Sequence, residues 1–219
     1  MCFSATANFA GSAVLGAIGV ATLAEVKHPR QLLFAAMPLL FAIHQFIEGF
    51  VWLGLHNILP ANVTNEAGAA YVMYAQGLLP FLLPLSVLLI EPTVHRRRRM
   101  LGFALLGGVM ALYLTWGLIA YPMQVSERHH SIIYLNPVTN TTMVAVLYVI
   151  ATCGALFFSG FGDLVVLGAA NLAGLLVVML VMRYAFTSVW CAYAAVVSVL
   201  IYFHFRQRRL LPVRYALAK

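Results

Sequence analysis

Residues Leu32 to Leu55 read LLFAAMPLLFAIHQFIEGFVWLGL, an almost unbroken apolar run with His44, Gln45 and Glu48 in its middle. As a helix rising about 1.5 Å per residue, the run is about 36 Å long, enough to cross a hydrocarbon core of about 30 Å. His44 lies one helical turn before Glu48 and Gln45 three residues before it, so the three share one face. Glu48 is the one acid that falls at neither a helix end nor a loop. A carboxyl at that depth is costly unless it is paired, hydrated or protonated, so it needs a partner from elsewhere in the chain.

Working outward, the whole chain is apolar. It is 63% hydrophobic and 9% charged, against about a quarter charged in soluble domains. A net charge of +7 would suit a nucleic-acid binder in a soluble protein. Here the basic residues sit in clusters between apolar runs, which indicates loops facing anionic lipid headgroups and no nucleic acid. Cys2, Cys153 and Cys191 form neither a disulfide framework nor a zinc-finger spacing. The first apolar run lacks a basic lead and is long enough to span, unlike a cleavable signal peptide.

Seven spans are expected, at about Phe3–Ala24, Leu32–Leu55, Ala69–Ile90, Met100–Tyr121, Met143–Ser159, Leu164–Met182 and Ala185–Phe205. In the first, Ser4, Asn8 and Ser12 recur at helical spacing and lead into Gly16 and Gly19, a stripe suited to close helix packing. Pro38 should kink the second. Pro80 and Pro84 in the third free backbone carbonyls that must face protein or water. His56 to Gly68 and Pro122 to Thr142 read as loops. No internal repeat is visible.

Orientation follows from the basic residues. With the N-terminus outside, Lys27, Arg30, Arg96 to Arg99, Arg206, Arg208, Arg209, Arg214 and Lys219 all fall inside, against Arg128 and Arg183 outside. Eleven to two is a strong positive-inside bias. The expected fold is therefore an all-α polytopic protein of the cell membrane: a seven-helix bundle over residues 1–205, N-terminus outside, and a basic cytoplasmic tail over 206–219. In that frame Glu48 lies in the outer half with His44 near the midplane. Cys2, Gln76, Trp116, Trp190 and Cys191 map to the same outward side.

Four readings of this polar group stay open. Glu48 fixes helix packing through hydrogen bonds. Alternatively it is a general acid or base beside His44, acting on a small hydrophobic or lipid-like molecule. A third reading is a bound metal ion held by Cys2, His44 and Glu48, with Cys191 as a further candidate and His129-His130 as a separate patch. The fourth is proton-coupled transport of a small solute. Retinal is excluded, because Lys27 and Lys219, the only lysines, fall in no span. Cys2 and Cys191 would share an oxidising side, where a disulfide between them is a further option. Lipids are the expected partners, together with a membrane complex or a second copy of the chain.

Three segments carry a resemblance: Met1-Cys2-Phe3-Ser4, Gln45-Phe46-Ile47-Glu48-Gly49, and Ser188-Val189-Trp190-Cys191. Together they resemble a family of functionally uncharacterised bacterial multi-pass membrane proteins that begin Met-Cys-Phe-Ser or Met-Cys-Trp-Ser. The resemblance implies that Cys2, Ser4, Gln45, Glu48, Trp190 and Cys191 matter to the family's function. Depth on the expected helices adds Gln76 and Trp116, so that Gln45, Gln76, Trp116, Trp190 and Cys191 are the candidate lining around Glu48. Relatives often carry Gln in place of His44, which weights Glu48 and Cys2 above His44. No activity comes with it.

Overall fold

A computed structural model describes residues 4–128, 130–139, 141–181 and 196–207, the side chains of 177–181 excepted. The described chain is mostly helical, and four helical stretches are long and apolar enough to cross a membrane: Ala5–Ala24, Pro29–Leu55, Ala61–Ile90 and Val94–Ala120. Two shorter apolar helices, Thr142–Phe157 and Gly162–Leu176, accompany them. Of the seventh expected span, residues 196–205 are helical, in a helix that continues to 207, and 185–195 lie outside the described residues.

Helix α1, Ala5–Ala24, begins at Ser4, whose extended backbone lets Oγ accept the Ala7 N–H at 3.2 Å. Such a cap satisfies an amide that the helix itself cannot. Ser4→Ala is expected to lower stability by about 1 kcal/mol, measured by thermal unfolding in detergent; an unchanged midpoint would show that the cap is dispensable.

The next apolar run divides into α2, Leu32–Ala35, and α3, Met37–Leu55. Pro38 occupies the first turn of α3, where its missing N–H costs nothing, so the expected kink is a break just before it. The small and polar stripe of α1 packs along α3. A Cβ on Gly19 would stand 2.7 Å from the Leu39 nitrogen, and Ser12 donates to the Ala42 carbonyl at 2.8 Å.

The third span starts earlier than the hydropathy suggests. Most of the expected loop is helical, because α4 runs over Ala61–Val72 through polar residues and Thr64 Oγ1 bonds back to the Pro60 carbonyl. A π-turn at Met73–Leu78 joins it to α5, Leu79–Ile90. Leu79 N–H bonds the Tyr74 carbonyl, five residues back. Pro80 would continue that register to Ala75 but has no N–H, and the Tyr148 hydroxyl takes the Ala75 oxygen instead at 2.8 Å.

Helix α6 spans Val94–Ala120 and absorbs the arginine run into its first turns. The chain then forms a hairpin, a correction to the all-α expectation and to the loop expected at Pro122 to Thr142. Strands β1, Gln124–Arg128, and β2, Ser131–Leu135, pair antiparallel from Gln124↔Leu135 to Arg128↔Ser131. The turn between them includes His130 at φ 56°; His129 lies outside the described residues. Asn136 ties the hairpin's exit to the end of α6, donating to the Gly117 and Tyr121 carbonyls at 3.2 and 3.3 Å. Helices α7, Thr142–Phe157, and α8, Gly162–Val181, follow.

The main core gathers Leu15, Phe34, Met37, Leu83, Met100 and Ile201 from helices across the bundle. A second cluster lies under the hairpin, where Ile132 and Tyr134 pack on Val51, Trp52, Tyr71 and Val72.

Candidate functional site

Helix α3 presents Gln45, Glu48 and Trp52 toward α1, and all three are buried, Glu48 completely. Asn8, one turn beyond the Ser4 cap, is equally enclosed. In the amide orientation that satisfies both of its ends, Asn8 Nδ2 donates to Glu48 Oε2 at 3.1 Å, and Oδ1 accepts from Trp52 Nε1 at 3.0 Å. Gln45 Nε2 lies against the same amide and can donate to its oxygen only in the opposite orientation. The polar stripe of α1 therefore supplies a partner for the buried carboxyl. Gly49 makes room beside it, since a Cβ there would reach 2.5 Å from the Phe9 ring.

His44 is directed to α4. Its Nε2 lies 3.0 Å from the Tyr71 carbonyl oxygen, which can only accept, so Nε2 carries the hydrogen. The imidazole stacks on the Tyr71 ring at 3.9 Å and 9°, and Tyr71 stacks on Tyr134 of β2 at 4.8 Å and 23°. This column joins α3, α4 and the hairpin. At its rim, His56 Nε2 stands 3.3 Å from Glu127 Oε2, linking the end of α3 to β1.

The other expected site residues are placed differently. Gln76 sits in the π-turn with Oε1 buried and no hydrogen-bond partner among the described residues. Trp116 is 53% exposed on the outer side of α6, against Tyr113 and Tyr121, and so does not join Glu48. Cys2, Trp190 and Cys191 lie outside the described residues. Among the described residues no three His, Cys, Asp or Glu side chains are grouped to hold a metal ion. A cavity of about 20 Å³ lies elsewhere, among Phe41, Leu79, Tyr148, Thr152, Asn171 and Ile201, with room for about one water.

A second polar centre lies at the opposite end, where the sequence suggested only a helix terminus. Glu91, at the end of α5, is fully buried. Its Oε2 accepts the Gly160 N–H at 2.8 Å and the Ser159 hydroxyl at 3.5 Å, and its Oε1 accepts the Thr93 hydroxyl at 3.2 Å. Arg96 donates to the Ser159 carbonyl at 3.1 Å and Arg97 to the Glu91 carbonyl at 2.7 Å. Nearby in the chain, Asp163 at the start of α8 pairs with His204. The signal for this centre is the Gly160-Phe161-Gly162 turn, whose Phe161 N–H is taken locally by the Ser159 hydroxyl at 3.2 Å while the Gly160 N–H reaches out to Glu91.

A model of a family of unknown function matches residues 1–216 of the chain, nearly its full length. No curated protein and no solved structure matches it.

Proposed function

Because the chain belongs to that family of unknown function, DUF6629, its role has to be read from its own residues, and we propose that it is a seven-span protein of the cell membrane that binds or acts on a small hydrophobic or lipid-like molecule at the Glu48 group. The N-terminus and the hairpin face outside and the arginine turns face the cytoplasm, as the positive-inside bias supports. Residues 206–219 form the basic tail.

One observation carries this reading. A completely buried carboxyl stands among Asn8, Gln45 and Trp52, beside a His44–Tyr71–Tyr134 column, at the end of the bundle that the hairpin covers. Hydrogen-bonding groups gathered at one level of an apolar bundle are costly to bury, and such groups mark ligand or proton sites in membrane proteins. A molecule entering between α1, α3 and the hairpin would meet Glu48 as acceptor and the tyrosine column as an apolar wall.

Glu48→Gln tests it, since the amide keeps the volume and an acceptor for Asn8 while removing the ionisable group. Native mass spectrometry of protein purified in mild detergent should show a hydrophobic molecule retained by the wild type. Occupancy should fall about tenfold in the variant, the worth of one charged hydrogen bond, while the fold loses no more than about 1 kcal/mol. Equal retention by both proteins sinks the reading.

A second reading, an accessory subunit of a larger membrane complex, is favoured by the size of the cavity, about 20 Å³. It predicts a co-purifying protein partner and no retained small molecule. Transport of a small solute, the third, requires Glu48 to be reached by water from each side in turn.

A further inference from the structure

The four arginines from Arg96 to Arg99 are not equivalent. Arg96, itself exposed, and the half-buried Arg97 donate to the Ser159 and Glu91 carbonyls. Arg98 and Arg99 are exposed and make no side-chain hydrogen bond among the described residues. They begin a continuous outward face of α6, on which Leu101, Leu105, Val109 and Leu112 are 49%, 63%, 65% and 76% exposed. At the far end of that face Trp116 and Tyr113 are 53% and 44% exposed. Arg98 and Trp116 are about 27 Å apart along the helix, at about 1.5 Å per residue, close to the thickness of a hydrocarbon core. Aromatic rings at one border of an apolar stripe and guanidinium groups at the other match the two headgroup levels of a bilayer. No acidic residue lies in the first turn of α6 to offset the cations, whose charge opposes the positive end of the helix dipole.

We propose that Arg98 and Arg99 form a binding site for the phosphate of an anionic phospholipid, which sets α6 in register with the membrane. Guanidinium groups suit phosphate because their paired N–H donors match its oxygens. Position decides the source: the two side chains stand where the apolar stripe ends, at the level of lipid phosphates. The site rests on the membrane-spanning reading and is independent of any role for Glu48.

The full chain is reconstituted into nanodiscs of phosphatidylcholine containing a minor share of phosphatidylglycerol, and the lipids retained on the ejected protein are counted by native mass spectrometry. Wild type should be enriched in phosphatidylglycerol over the bulk ratio. The enrichment should fall by about fivefold for each arginine lost in Arg98→Gln and Arg99→Gln. Arg98→Lys/Arg99→Lys should retain only the part of it that charge supplies, falling between wild type and the double glutamine variant, and Arg96→Gln should retain it while lowering the unfolding midpoint. Equal enrichment in wild type and the double glutamine variant overturns the site. If inorganic phosphate stabilises the protein in pure phosphatidylcholine as well as phosphatidylglycerol does, the ligand is a soluble anion and the lipid assignment fails. A wild type that does not insert overturns the membrane reading and this site with it, whereas insertion without headgroup preference overturns this site alone.

Discussion

Replacing Gly107 by alanine is expected to destabilise the fold by about 2 to 3 kcal/mol, the cost of overpacking a tight contact, although alanine is the better helix former. The reason lies in the facing helix. Pro84 has no N–H to return to the Pro80 carbonyl, so α5 lacks its usual four-residue bond at that oxygen. Gly107 lies directly against it: an added Cβ would overlap the Pro80 oxygen and stand 2.8 Å from its carbonyl carbon and 3.2 Å from the Phe81 Cα. Every one of those neighbours is backbone, so none can swing aside, and α5 and α6 would have to part. Gly102, five residues earlier on α6, has nothing within 4 Å of its added Cβ and is the control. Gly102→Ala should be neutral or stabilising by up to about 1 kcal/mol, from helix propensity alone. Thermal unfolding of both variants in one detergent gives the comparison. Equal shifts would mean that the α5–α6 contact is looser than its geometry.

Glu91→Ala should cost about 3 kcal/mol or more, because each buried donor left without an acceptor costs about 1 to 3 kcal/mol. The Gly160 N–H and the Ser159 and Thr93 hydroxyls all depend on this carboxylate. Glycine at 160 belongs to the same arrangement, since a Cβ there would stand 2.7 Å from Glu91 Oε1 and 3.0 Å from Arg96 Nη1. Glu91→Gln keeps one acceptor and should lose about 1 kcal/mol. Hydrogen exchange should localise the damage to the turn between α7 and α8. A uniform rise across the bundle, or none at that turn, would show that Glu91 does not hold the two turns together.

Both effects depend on residues whose sequence context looks ordinary, and this marks what could be read beforehand. The apolar runs were legible because every helix that faces lipid must be apolar over a fixed length. The packing of Ser12, Gly16 and Gly19 was legible as a stripe, since helical spacing puts them on one face. Need for a partner at Glu48 was legible from the cost of a carboxyl in an apolar run. Asn8 as that partner was not, because Ser4, Asn8 and Ser12 are equivalent by spacing and only the crossing of α1 and α3 selects one. Trp116 was expected beside Glu48 but faces outward from α6, since depth along a helix says nothing of the direction around it. The hairpin was hidden by its setting: ten residues of strand between two apolar helices carry a weak alternation, and their order comes from packing Ile132 and Tyr134 on α3 and α4.

By itself, then, the amino-acid order determined composition-driven properties: helices of membrane-crossing length, basic residues clustered between the apolar runs, and a polar patch that could not stay alone in an apolar segment. The tertiary structure decided which polar groups meet. It joined Asn8 to Glu48 and Trp52, His44 to the Tyr71 carbonyl, and Glu91 to a turn 69 residues away in the chain. The division has a physical cause. Burial in an apolar medium is a property of each segment and adds along the chain, whereas a hydrogen bond between helices depends on their crossing, rotation and register together, which no single segment encodes.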